Sequence, residues 1–99
     1  MLHIVNKSHT QTSSLQSCLR LAKAGQALLL TEDAVYAAAA TAAASSGIAT
    51  AMNTLKVYAL QPDVQARGMT GRLAEGVTEV DYAGFVDLVT EHNNSQSWL

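Results

Sequence analysis

One cysteine, one proline, five aromatic residues and a charged fraction of 14% are what this 99-residue chain has little of. A lone Cys18 cannot close an internal disulfide, and no cysteine and histidine stand at a metal-ligand spacing. His3, His9 and His92 are isolated and read as structural or solvated groups, so no resident metal or cofactor is expected. Lys7, Arg20, Lys23, Lys56, Arg67 and Arg72 are scattered through a chain of net charge −2. The clustered basic footprint of a nucleic-acid binder is therefore missing. Residues 34–55 are uncharged but mostly Ala, Ser and Thr, whereas membrane insertion is driven by Leu, Ile, Phe and Val. The opening "MLHIVNK" is too short an apolar run for a secretory leader. A cytoplasmic protein, off the membrane, is expected.

What is present is apolar residue, at 48% of the chain. Ordinary soluble domains carry about 25% charged residues, well above the fraction here. A chain of this length makes one domain, residues 1–99, and buries roughly two-thirds of its unfolded surface. The surplus apolar surface has to be covered by something. A subunit contact is the expected cover, and the isolated chain is expected to self-associate.

Apolar runs alternate with helical patterns. "LHIV" (2–5) reads as a short buried strand. A helix follows from Thr12 or Ser13, either of which can cap it. Leu15, Cys18, Leu19 and Ala22 mark its apolar face, and Gly25 is expected to end it. "ALLL" (27–30) is apolar throughout, as a strand covered on both faces must be. The alanine-rich stretch after "TED" has strong helix propensity and fails around Ser45, Ser46 and Gly47. "KVYAL" (56–60) is a third strand. "QPDVQARG" then forms a short helix with Pro62 at its first position, Asp63 in its first turn and Gly68 as its stop. "VTEV" (77–80) is a fourth strand, and the last helix begins at an Asp81 cap. The tail "SQSWL" offers a fifth, edge strand or an anchor through Trp98 and Leu99. Short joints between strands and helices require right-handed crossovers. The expected class is α/β: a three-layer α/β/α domain on a mostly parallel sheet of four to five strands, flavodoxin-like in general shape.

Chemistry in such sheets gathers at the carboxyl ends of the strands. There, "SHTQTS" (Ser8–Ser13) resembles a hydroxyl-rich phosphate loop, which makes a phosphate- or flavin-binding module one alternative. It lacks the glycine that lets backbone approach an anion, so a loop that caps its own helix is preferred. Glu32, Asp33, Asp63 and Asp81 read as capping or helix-dipole carboxylates. Cys18 stays open on residues alone. It lies on an apolar stripe, where free cysteine is commonly buried, yet a thiol near cations or a helix start can become nucleophilic.

Taken in order, "LHIVNKS", "SLQSCL", "LLLTEDAVYAA", "KVYALQPDVQARG" and "VDYAGFVDLVTEHNNSQSWL" resemble the TusB/DsrH family of sulfur-relay subunits across nearly the whole chain. Ala34 stands where many members carry glycine. The resemblance implies a DsrE-like fold and a dimer of heterotrimers with TusC-like and TusD-like homologous subunits. It implies an acceptor of the TusE or DsrC type and persulfide sulfur passed on for 2-thiolation of the tRNA wobble uridine. A DsrH-like role in sulfur oxidation within a DsrEFH complex is the alternative branch. In the family the principal sulfur-carrying cysteine belongs to a partner. Cys18 in "SLQSCL" matches a first-helix cysteine of the DsrH branch, which makes it a candidate secondary persulfide carrier.

Overall fold

The computed structural model describes residues 1–98. Five strands, β1 (Leu2–Val5), β2 (Ala27–Leu30), β3 (Lys56–Leu60), β4 (Thr78–Val80) and β5 (Ser95–Trp98), form one sheet in the order β4-β3-β2-β1-β5. Every pairing is parallel, with Val5 opposite Leu30 on one side and Trp98 on the other. The helices are α1 (Ser14–Leu21), α2 (Ala43–Ser46), α3 (Ile48–Ala51), α4 (Gln61–Ala66) and α5 (Tyr82–Glu91), with a 3-10 helix at Glu32–Ala38. Predicted β4 and β5 are both present, and β5 is the edge strand that the tail allowed.

Strands β1 to β4 step across the sheet in one direction. Right-handed crossovers then lay all their connecting helices on one face, and only α5, which steps back to β5, lies on the other. The packing follows that division. On the first face Val5, Leu28, Leu30, Val57 and Ala59 meet Leu15 and Cys18 of α1, Val35 of the 3-10 helix, Ile48 and Val64. On the second, Leu2, Ala27 and Leu29 meet Leu88 of α5, with Ile4, Tyr58, Val80 and Phe85 only half covered. The order differs from the flavodoxin order 2-1-3-4-5, whose phosphate crevice lies where β1 and β3 diverge. Here β1 is flanked by β2 and β5, so the topology has no such crevice.

Several local expectations are corrected. Helix α1 ends at Leu21, and Ala22 is already extended; Gly25, at φ 88°, instead turns the chain into β2. Ser13 occupies the N-cap but makes no side-chain cap, and Thr12 Oγ1 accepts the Ser14 N–H at 3.4 Å instead. The alanine-rich stretch does not make one helix. It is divided into the 3-10 helix, α2 and α3; the expected failure at Ser45–Gly47 is present, with α2 ending at Ser46 and a new helix starting at Ile48. Gly47 ends α2 at φ 91°, and a Cβ there would lie 3.0 Å from Leu19 Cδ1, so both the left-handed turn and the close approach to α1 favour glycine at this break. Ala34 is helical and fully buried, while the left-handed residue is Glu32, at φ 50°. The α4 and α5 starts follow expectation: Pro62 lies in the first turn, and Asp81 accepts the Gly84 N–H at 2.8 Å.

Trp98 is half-buried against the larger core, and its Nε1–H donates to His3 Nδ1 at 3.2 Å. An acceptor Nδ1 places the His3 proton on Nε2, which donates to Gln26 Oε1 at 2.7 Å. The same oxygen accepts the Lys23 N–H at 2.9 Å. His3 is thus structural, as expected, and ties the edge strand to the turn before β2. Leu99, the second expected anchor, lies outside the described residues.

Candidate functional site

The carboxyl edge of the sheet brings together the loop after β1, the start of the 3-10 helix and the start of α4. Ser8 organises the loop. Its hydroxyl pairs with Thr10 Oγ1 at 2.9 Å and accepts the Thr10 N–H at 3.3 Å. Its carbonyl accepts the N–H groups of Gln11 and Thr12 at 3.1 and 3.2 Å. Those amides are the donors a phosphate would need, and the loop has turned them on itself. The hydroxyl-rich segment is a self-bonded turn.

Beside it sits a charged network that the sequence reading missed. Arg67 Nε donates to Asp33 Oδ1 at 2.9 Å, and its Nη1 lies 3.7 Å from Asp63 Oδ1. Asp63 Oδ2 also accepts the Glu32 N–H at 2.7 Å. A non-glycine residue in the left-handed region costs about 1–2 kcal/mol, and this charge-assisted bond helps hold Glu32 there. Glu32 and Asp33 both stand in the first turn of the 3-10 helix, as helix-dipole carboxylates would, but neither makes a side-chain cap: Asp33 is also an ion-pair partner, and Glu32 takes the left-handed conformation. Asp63 keeps its first-turn place and adds one local contact, to Arg67, and one tertiary contact, to the Glu32 N–H. The i,i+4 spacing of Asp63 and Arg67 was a visible signal for half of this cluster. The Asp33 contact, 34 residues away, was not.

Between the loop and the 3-10 helix lies an open cleft of about 390 Å³, lined by Ser8, His9, Thr10, Gln11, Asp33 and Tyr36. Its one charged side chain is an acid already paired with Arg67. Among the described residues no group of three or more His, Cys, Asp or Glu could hold a metal ion.

Cys18 is elsewhere. It points into the core from α1 with no solvent exposure, beside Leu15 and away from the cleft. Burial pushes its thiol up to about 11, because a thiolate would lose its hydration there. At neutral pH that leaves on the order of one thiolate in ten thousand. The only thiol of the chain is sealed and protonated in this conformation.

A family model described as "DsrH like protein" matches residues 7–95. The chain is 39% identical to "Protein TusB" of Serratia proteamaculans, over 99% of this chain and all of that protein. It is 37% identical to "Protein TusB" of Escherichia coli, again over 99% of this chain and the whole relative. The fold matches the crystal structure of the ychN protein from E. coli with a TM-score of 0.79, covering 97% of both chains at 22% identity. Full-length identity of this order, together with the family-model match over residues 7–95, places the chain in the TusB/DsrH family.

Proposed function

We propose that this chain is a TusB-type subunit of a sulfur-relay complex that moves persulfide sulfur toward 2-thiolation of the tRNA wobble uridine, and that its part is structural. The observation that carries the second half is the state of Cys18. Accepting sulfur requires a thiolate that attacks the outer sulfur of a persulfide while the donor cysteine leaves as its own thiolate. A fully buried thiol raised to about 11 meets neither the access nor the ionisation requirement. Full-length similarity to TusB proteins favours the tRNA branch over sulfur oxidation. The partners in this reading are TusC-like and TusD-like subunits, in a cytoplasmic dimer of heterotrimers that feeds a TusE-type acceptor. No helix among the described residues is long and apolar enough to cross a membrane.

Co-expression with the TusC-like and TusD-like subunits tests this. The chain is expected to co-purify with both, and the Cys18→Ala assembly is expected to deliver sulfur to the acceptor at the parental rate. A chain that stays monomeric in the presence of both subunits overturns the assembly reading. Mass spectrometry after a persulfide donor covers the second reading, Cys18 as a secondary carrier in a conformation that opens α1. A gain of one sulfur on Cys18, with transfer lost in Cys18→Ala, establishes that reading instead.

A further inference from the structure

Charge is segregated along this chain. Residues 1–31 contain Lys7, Arg20 and Lys23 and no acid, whereas residues 73–99 contain Glu75, Glu79, Asp81, Asp87 and Glu91 and no lysine or arginine. The fold carries Asp81, Asp87 and Glu91 of this acidic end to the thinly covered side of the sheet with α5, while Glu79 stands beside Ala59 on the other face. There α5 presents more apolar surface than the sheet can bury. Leu88 and Phe85 turn inward, while Tyr82, Val86 and Val89 recur at i, i+4 and i+7 with 61%, 60% and 41% exposure. Asp81 at the N-cap of α5 and Asp87 and Glu91 along the same helix are all exposed.

We propose that the outer face of α5 docks a different protein chain whose contact patch is apolar at its centre and carries lysine or arginine at its edge. The sign of the charge selects this occupant. Nucleic acid and anionic lipid surfaces are repelled by an acidic border. A second copy set face to face would place Asp87 and Glu91 against their own kind, which costs specificity at any interface. The basic end of this same chain offers a single exposed leucine, Leu21, between Arg20 and Lys23, too narrow to cover three large side chains. A complementary subunit satisfies both the apolar stripe and its border. This rests on the heteromeric assembly proposed above and names the surface through which it forms.

The test uses the full chain and the TusC-like and TusD-like subunits, with thermal melting to confirm that each variant folds. Val86→Glu puts a charge at the centre of the stripe and is expected to weaken assembly by at least about tenfold. The double variant Asp87→Lys/Glu91→Lys reverses the border. It is expected to weaken assembly about tenfold at low salt, with the difference shrinking at high salt. Leu21→Glu, on the opposite face, leaves assembly unchanged. Parental affinity in both α5 variants, or loss in Leu21→Glu alone, overturns the docking face while leaving the assembly in place. A homo-oligomer of the isolated chain that Val86→Glu dissolves also overturns it, because the occupant is then a second copy. If the parent binds neither subunit, the proposed function and the docking face fall together.

Discussion

The two faces of the sheet are closed to different degrees. On one, four helices and a 3-10 helix bury Val5, Leu28, Leu30, Ile48 and Val64 to nothing or nearly nothing. On the other, one ten-residue helix spans a five-stranded sheet, and Ile4, Tyr58 and Val80 stay partly open beneath it. The first face holds the fold together. The second holds less than its apolar content could, which is the pattern of a surface completed by another chain. Cys18 lies on the closed face, so the face that is available for contact and the thiol that could carry sulfur are on opposite sides of the sheet.

That contrast can be broken most directly by deleting core atoms. Leu28→Ala on the closed face is expected to cost about 2–5 kcal/mol, read from the urea midpoint at constant slope. Its α5 counterpart comes last in this series, so an equal loss at both faces would refute the asymmetry.

Alkali probes the same closed face through its thiol. The folded Cys18 value is raised to about 11 from its ordinary 9.0, so the unfolded chain releases the proton first as pH rises. Stability contributed by the neutral thiol is whole below pH 9 and declines toward pH 11, by ~2 kcal/mol across the window. The difference between parent and Cys18→Ala across that range isolates the effect from other titrating groups. Alkylation of Cys18 should proceed only at the rate at which the helix opens; labelling as fast as in the unfolded chain would remove the sealed-thiol account.

A smaller effect is expected at the carboxyl edge. Asp63→Ala removes the acceptor of the Glu32 N–H and one side of the Arg67 pair, and should cost about 1 kcal/mol because these groups are partly solvated. Glu32→Gly in the same background should recover part of it, since glycine adopts the left-handed region freely. No recovery would mean that φ at this position is not strained.

The smallest effect belongs to the open face. Val86→Ala in the isolated chain should shift stability by less than about 0.5 kcal/mol, although Val86→Glu disrupts assembly. A large stability loss would show that α5 is already fully committed to its own sheet.

Much of this was legible in residue order. The all-apolar "ALLL", the Pro62–Asp63 helix start, the Asp81 cap and the edge strand in the tail all depend on near neighbours, and each stands where the pattern put it. The shallower local signals failed where distant contacts outweighed them. Alanine propensity before the expected break at Gly47 gave a 3-10 helix and the short α2 rather than one α-helix, and the side-chain caps expected of Glu32 and Asp33 gave way to contacts with Asp63 and Arg67.

By itself the sequence determined the alternation of strands and helices, the family, the shortage of charge and the presence of a single thiol. These are local or compositional properties, carried by hydrophobic period, backbone preference and residue identity. Only the tertiary structure decided that β5 flanks β1, that three helical connections share one face, and that Cys18 is sealed beneath them. It likewise decided that the acidic, apolar α5 is left to cover the other face alone. Burial and charge placement depend on which distant segments meet, and pairwise spacing along a chain does not encode which face of a sheet a crossover will choose.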